Sequence, residues 1–224
     1  MKKTLVFCLV LFFTSLGCQI KENNAQVNSL KTETLSEANI GAWSETVDGL
    51  RSRIATDKKI YYVGDQIIFS LTWENLNNKE VLINFREDRL LQGMMSFKNQ
   101  GGRGLLSRLI TLEFAPVYQK KIPSHGLYSY ELVGKFTRKT PDDVNRLFVL
   151  GSIPEDIENF YGNIVLEFST KTLSEIPVLI GKSGKFFVSL NYEMSPDSYF
   201  AKKESLAWTG RIESREVMFE VRGK

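Results

Sequence analysis

Apolar and polar residues alternate with period two in several segments of the chain, and this pattern constrains its fold more than any other feature. Such alternation is typical of strands with one face on a core and one face in water. The apolar positions of the five clearest segments are Ile67, Phe69, Leu71 and Trp73; Val81, Ile83 and Phe85; Ile164, Leu166 and Phe168; Phe186, Val188, Leu190 and Tyr192; and Val217, Phe219 and Val221.

Helix signals are few and short. Thr140-Pro141-Asp142-Asp143 offers an N-cap, a proline in the first turn and two acids, Ser152-Ile153-Pro154-Glu155 has capping-box spacing, and Ser195-Pro196-Asp197 begins a segment that leads to Lys203. The fold class predicted is therefore mainly β, an immunoglobulin-like antiparallel β-sandwich with short helical insertions. It occupies residues 43–224 and is elaborated in 86–160, with a second small β domain as the alternative.

The N-terminus carries an export signal. Lys2 and Lys3 precede an apolar run from Leu5 to Phe13, and small residues lead to Gly17 and Cys18. The run is too short for a permanent span of the bilayer, which needs about 20 residues. Residues 1–17 are therefore predicted to be a cleaved signal peptide.

Gly17-Cys18 at the end of such a signal resembles the lipobox of bacterial lipoproteins. Ser15 stands where that family favours leucine, and Leu16 follows one residue later. The resemblance implies acylation of Cys18 and a lipid anchor in the membrane, and Gln19 beside it implies a bacterial cell-envelope lipoprotein of the outer membrane. The alternative is ordinary secretion with Cys18 as a free thiol.

Cleavage of the signal peptide would change the length, the net charge and the cysteine content of this 224-residue chain. The mature chain would have 207 residues and, having lost two lysines and no acid, a formal charge of +1 instead of +3. Cys8 would leave with the signal, so no disulfide could form within the chain. Residues 18–42 are polar and contain no aromatic side chain before Trp43, which predicts a flexible tether.

The folded body resembles immunoglobulin-like domains of exported bacterial proteins. At its start the likeness rests on the segments Gly49–Ile54, Tyr62-Val63-Gly64-Asp65 and Phe69–Asn75, and at its end on Phe187–Tyr192, Ala207–Gly210, Glu213-Ser214 and Val217–Val221. A looser similarity exists to the BsuPI-type proteinase inhibitor domain. Both resemblances imply a fold and say almost nothing about chemistry.

The sequence favours a protein without catalytic residues, cofactor or metal. His125 is the single histidine, so zinc motifs with several histidines are excluded, and no G-x-S-x-G element accompanies it. The Gly101–Gly104 run lacks the ending of a phosphate loop. Acidic neighbours are interpreted as helix caps and solvated faces, and they occur at Glu87-Asp88, Asp142-Asp143 and Glu155-Asp156.

Exposed aromatic residues are the remaining candidates for a binding site. Those nominated are Trp43, Tyr118, Tyr161 and Tyr199. The function predicted is a non-catalytic binding module with an unknown protein or glycan partner and no nucleic acid, since basic residues are scattered and balanced by acids. The alternatives are a proteinase inhibitor that uses residues 99–104 or 116–126 and a glycan-active enzyme that uses Asp142 and Asp143.

Overall fold

The computed structural model describes residues 38–86, 89–107, 117–148, 163–169 and 176–223. Strands dominate these residues, which confirms a mainly β fold. The strands are β1 (Asn39–Ile40), β2 (Leu50–Thr56), β3 (Ile60–Tyr62), β4 (Gln66–Asn75), β5 (Val81–Arg86), β6 (Met95–Asn99), β7 (Leu106–Ser107), β8 (Val117–Ile122), β9 (Leu127–Arg138), β10 (Ile164–Ser169), β11 (Ile176–Gly181), β12 (Gly184–Met194), β13 (Gly210–Glu213) and β14 (Val217–Arg222).

Within the described ranges, two short α-helices interrupt the strands, α1 (Pro141–Phe148) and α2 (Tyr199–Lys203), and a π-helical turn covers Leu90–Met94. The helix predicted at Thr140 is confirmed, since the Asp143 N–H donates to Thr140 Oγ1 at 3.2 Å. The helix predicted from Ser195 begins later, because Ser198 is its cap and accepts from the Ala201 N–H at 3.1 Å. The helix predicted at Ser152 lies outside the described residues.

The first sheet has the strand order β1-β2-β4-β9-β10-β11-β7, and all its neighbouring pairs are antiparallel. Strand β4 lies inside this sheet between β2 and β9, and the apolar residues predicted for one face of β4, Ile67, Phe69, Leu71 and Trp73, are completely buried. Strand β1 lies inside the range 18–42 that the sequence analysis assigns to a tether.

The second sheet has the order β13-β12-β14-β3, with β6 also paired to β12. Its β14–β3 pair is parallel, so this sheet is mixed, whereas the sequence analysis expects only antiparallel pairs. The reason is that the chain passes from β2 to β3 in three residues, 57–59, without reversing its direction.

The two sheets pack face to face, as in a β-sandwich. Phe69 on β4 lies with its ring centroid 5.7 Å from Phe97 on β6 and 6.0 Å from Phe219 on β14. One continuous apolar cluster extends from Leu50 to Val221 and joins both sheets. On the outer face of the first sheet, α1 covers Val165 and Leu179 with Val144.

A two-stranded ribbon of β5 and β8 extends the second layer. The Leu82 N–H donates to the Leu206 carbonyl at 2.8 Å, and the Trp208 N–H donates to the Leu82 carbonyl at 3.0 Å. The Asn84 N–H donates to the Tyr192 hydroxyl at 3.0 Å. These bonds hold the ribbon beside the second sheet, so that its inner face lies over β4 and β9.

Candidate binding surface

Four rings from β5, β8 and β9 form what we call the aromatic rim: Phe85, Tyr118, Tyr128 and Tyr130. Phe85 is buried and stacks on Tyr118 at 5.5 Å and 15°, and it meets Tyr130 edge to face at 5.1 Å. The three tyrosines are half-buried. The rim follows from the register, since Phe85 is paired with Tyr118 while Tyr128 and Tyr130 share the inward face of β9.

The rim continues into the core. The Trp73 indole lies under it and stacks on Tyr128 at 6.0 Å and 24°. Burial raises the pKa of Tyr128, and Tyr118 adds to the effect, so the phenol stays protonated at neutral pH. The Lys120 ammonium lies 5.8 Å from the Tyr128 ring centroid, which places a cation on the edge of the aromatic surface.

An open groove of about 440 Å³ borders the rim at Phe85. We call it the arginine groove; its lining consists of Asn84, Phe85, Arg86, Arg89, Gly93, Met94, Asn191, Glu193, Met194 and Arg211. Three arginines face one described glutamate across it, so the groove is net positive. Rim and groove together combine stacking surface, guanidinium donors and amides, the groups that bind planar or acidic polar ligands.

The nominated aromatics are not brought together. Trp43 lies between two guanidinium groups, with Arg51 Cζ 4.6 Å and Arg53 Cζ 4.4 Å from its ring centroid. Tyr199 on α2 is 79% exposed, with the Lys203 ammonium 5.8 Å from its ring. Of the three that are described, Tyr118 alone belongs to the rim. Tyr161 and the nominated Cys18 lie outside the described residues.

The nominated set did not include three of the four rim rings: Phe85, which was assigned to the apolar face of a strand, and Tyr128 and Tyr130. Period-two spacing of Tyr128, Tyr130 and Leu132 could have placed both tyrosines on one face of a strand. It could not have shown that Phe85 lies over that face, because the spacing of a strand does not identify its partner in the opposite layer.

The described residues considered for catalysis lie in a turn and at the start of a helix. His125 is exposed at a turn with φ 54°, and its Nε2 lies 2.9 Å from Asn78 Oδ1. Asp143 accepts from the Thr140 hydroxyl at 2.7 Å, and this bond lowers the pKa of its carboxyl. Asp142 and Asp143 occupy the first turn of α1, and Glu87-Asp88 and Glu155-Asp156 lie outside the described residues.

The two segments considered as inhibitor loops are hydrogen-bonded where they are described. Residues 99–104 form a tight turn in which Asn99 Oδ1 accepts from the Gly101 and Arg103 N–H groups, each at 3.0 Å. Residues 117–122 are paired with β5, and the Gly126 N–H donates to the Pro123 carbonyl at 3.0 Å. Residue 116 is not among the described residues.

None of the described residues forms a group of three or more metal-ligating side chains. Across the same described ranges, no helix has the length and apolar character needed to cross a membrane.

Comparison with known proteins gives no family. No protein-family model matches the chain. A search of the curated proteins finds no significant match either.

Proposed function

We propose that the chain is a non-catalytic lipoprotein of the bacterial cell envelope that binds a protein or glycan partner. In this proposal Cys18 carries the lipid, and the β-sandwich is an immunoglobulin-like binding module. The observation that carries the binding role is the aromatic rim, in which three half-buried tyrosines stand around a buried phenylalanine.

The rim is suited to binding because its rings are already ordered by their neighbours. Tyr118 is stacked on Phe85, and Tyr128 is stacked on Trp73, so little side-chain entropy remains to be lost when a ligand covers them. Tyrosine also offers a large apolar face with a polar tip, a combination enriched at interfaces and suited to sugar rings. The adjoining arginine groove would contribute charge-assisted hydrogen bonds.

Local geometry supports an immunoglobulin-like assignment at the segments that carry the resemblance. The Gly64 residue of the Tyr62–Asp65 turn has φ 102°, and the Tyr62 N–H donates to the Asp65 carboxylate at 2.9 Å. The turn leads into β4, whose last residue, Asn75, is fully buried and hydrogen-bonded to three carbonyls. Each of these features has a structural role.

The anchor rests on the sequence, and metabolic labelling with an alkyne palmitate analogue tests it. We expect the wild-type chain to be labelled and the Cys18→Ser variant to remain unlabelled. In a Gram-negative host the wild type should fractionate with the outer membrane, while Gln19→Asp should hold the chain in the inner membrane. An unlabelled wild-type chain would overturn the lipoprotein assignment.

The binding role is tested by crosslinking the full chain in its own envelope and recovering what is bound. Tyr118→Leu keeps apolar volume over Phe85 but removes the ring, so the crosslinked partner should be lost. Tyr199→Leu is the matched control, because it removes an aromatic side chain that is exposed on α2 and lies outside the rim. Equal yields from Tyr118→Leu and the wild type would exclude the rim as the binding surface. Digestion of the product with a protease or a glycosidase then identifies the partner's class.

A further inference from the structure

Two turns meet at one end of the sandwich and carry four cations, which we call the basic corner: Arg103, Arg138, Lys182 and Lys185. Pairing of Phe186 with Asn99 brings the turn 99–104 beside the turn between β11 and β12. A concavity of about 300 Å³ lies between them, and Arg103, Lys182 and Lys185 line it. Arg138 Nη2 and Ser183 Oγ both approach Gly223, so Arg138 lies next to this turn.

The lining of the concavity is uniformly basic or neutral. Besides its three cations it consists of small, amide and apolar residues, with no carboxylate among the described residues that line it. Glu220 is paired with Lys185 across β12 and β14 and is attracted to it, while its carboxylate accepts from the Arg222 guanidinium at 2.7 and 3.3 Å, so this one acid has two cations beside it. The concavity is therefore electrostatically suited to anions.

Strand β1 begins at this same end of the sandwich. Asn39 is paired with Thr56 and Ile40 with Ala55, so β1 begins opposite the C-terminal end of β2. In the first sheet, neighbouring strands alternate in direction from β2 through β4, β9 and β10 to β11. Strands β2, β9 and β11 therefore run in the same direction, and their C-terminal ends point toward the basic corner. The pair of β10 and β11 joins Ile164 to Gly181, at the β11–β12 turn.

We propose that the basic corner rests on the anionic phospholipid headgroups of the membrane that holds the chain. This inference rests on the proposed lipid anchor, which would keep the corner close to a bilayer. Twenty residues separate Cys18 from Asn39, and if they are the tether that the sequence predicts, their root-mean-square end-to-end distance is about 25 Å. Headgroup attraction acts within a Debye length, about 8 Å at physiological ionic strength. Four cations on the tethered end would therefore convert a loosely held domain into one docked in a fixed orientation.

The chain supplies a matched control at its opposite end. Strand β12 runs from Gly184, beside the basic corner, to Met194, which is about 33 Å away at the usual rise of a strand. Beyond Met194, α2 carries Lys202 and Lys203, a second pair of exposed lysines. Replacing either pair by glutamine changes the net charge equally, and the control variant also removes the exposed ion pair of Lys202 with Asp197, at 3.4 Å.

The experiment uses the full chain purified from the envelope in detergent and returned to vesicles of phosphatidylcholine with or without phosphatidylglycerol. A dye on Ser183→Cys reports the distance of the basic corner from a headgroup quencher, and a dye on Asp197→Cys reports the opposite end. Acylation blocks the Cys18 thiol, so dye on a chain without an added cysteine would show that the lipid anchor is absent. That result would refute the proposed lipid anchor. The labelling is measured before the protein is returned to vesicles, so a failure of the anchor is distinguished from a failure of docking.

In vesicles that contain phosphatidylglycerol, at low salt, we expect the headgroup quencher to quench the dye at position 183 of the anchored protein and to leave the dye at position 197 unquenched. The Lys182→Gln/Lys185→Gln chain should lower the ratio of docked to undocked molecules about 30-fold, since each lysine near an anionic surface contributes about a factor of five. The Lys202→Gln/Lys203→Gln chain should dock like the wild type. Equal quenching at both positions, or equal loss in both double variants, would overturn the proposal. So would release by inorganic phosphate at constant ionic strength, which would assign the corner to a small anion.

Discussion

The Phe85 ring lies parallel to the Trp73 indole, 5.7 Å between centroids and 14° between planes. Trp73 is the last inward-facing apolar residue of β4, and Phe85 is on the ribbon that forms the opposite layer. This one stack connects the first sheet to the ribbon and supports the rim from below. The stability of the sandwich and the shape of its candidate binding surface therefore depend on the same pair of rings.

Phe85→Ala should destabilise the fold by about 3–5 kcal/mol, the usual cost of removing a buried phenylalanine. Phe85→Leu refills most of the space and should cost about 1.5 kcal/mol. Urea unfolding of both variants, followed by tryptophan fluorescence, gives the two free energies. If Phe85→Ala unfolds at the same urea concentration as the wild type, the stack does not hold the ribbon in place.

The hairpin turn between Val47 and Leu50 requires glycine at its second position. Asp48 and Gly49 have φ values of 46° and 74°, the pattern of a two-residue type I′ turn. A Cβ on Gly49 would lie 2.1 Å from Asn77 Oδ1. Gly49→Ala should therefore cost about 1–3 kcal/mol through backbone strain and this clash.

The control for Gly49 is Gly104, where a Cβ would meet no atom within 4 Å and φ is not left-handed. Gly104→Ala should leave the free energy of unfolding within about 0.5 kcal/mol of the wild type. Thermal unfolding of the two alanine variants separates them. Equal melting temperatures would contradict the assignment of strain to Gly49.

The strand faces could be predicted from the sequence because burial follows the period of the backbone. Ile67, Phe69, Leu71 and Trp73 alternate in sequence and are all fully buried. Pairing between strands could not be predicted, since Phe85 and Trp73 are twelve residues apart and nothing in their spacing says that they stack. The parallel β3–β14 pair joins residues 160 apart, such as Ile60 and Glu220, and has no local signal.

Candidate site residues were predictable only by type. Aromatic residues near turns could be nominated, but their neighbours in space could not, and these differ: Tyr118 stacks on Phe85, whereas Trp43 contacts two guanidinium groups. The two arginines beside Trp43 come from β2, where Arg51 and Arg53 alternate on the outer face; Arg51 is in addition bonded to Glu74. Their spacing was visible in the sequence, whereas the position of Trp43 between them was not.

Buried tyrosines should make the fold sensitive to alkali. Burial raises the pKa of Tyr192 to about 12, and burial followed by the hydrogen bond to Asp57 raises the pKa of Tyr61 as well. An unfolded tyrosine ionises near pH 10. Above that pH the unfolded chain loses phenolic protons that the folded chain retains, so the free energy of unfolding falls as the pH rises.

The stability contributed by Tyr192 should be complete below pH 10 and reduced by roughly 2–3 kcal/mol at pH 12. Urea titrations at a series of pH values from neutral to strongly alkaline give the slope. In Tyr192→Phe the slope should become shallower, although the variant starts from a lower stability because the Asn84 N–H loses its acceptor. An unchanged slope would show that Tyr192 does not control the alkaline transition.

Asn75 joins the end of β4 to two turns. Its Nδ2 donates to the carbonyls of Lys79, Ile122 and Pro123 at 2.8, 3.1 and 2.9 Å. Its Oδ1 accepts from the Asn77 N–H at 3.0 Å. The side chain is fully buried, and its bond to the Ile122 carbonyl is buried as well, so that carbonyl would lose its partner away from water if the amide were replaced.

Asn75→Asp is nearly isosteric but cannot donate, and it places a carboxylate against carbonyl oxygens. We expect a loss of about 3 kcal/mol at neutral pH, with partial recovery in acid, because a protonated carboxyl regains one donor. Asn77→Asp is the control, since Asn77 donates a single exposed side-chain bond, to the Asp48 carbonyl, and should cost less than about 1 kcal/mol. Urea unfolding at neutral and acidic pH, each variant compared with the wild type at the same pH, measures both effects. If both variants lose the same stability at neutral pH, the bonds to these three carbonyls are not the reason for asparagine at this strand end.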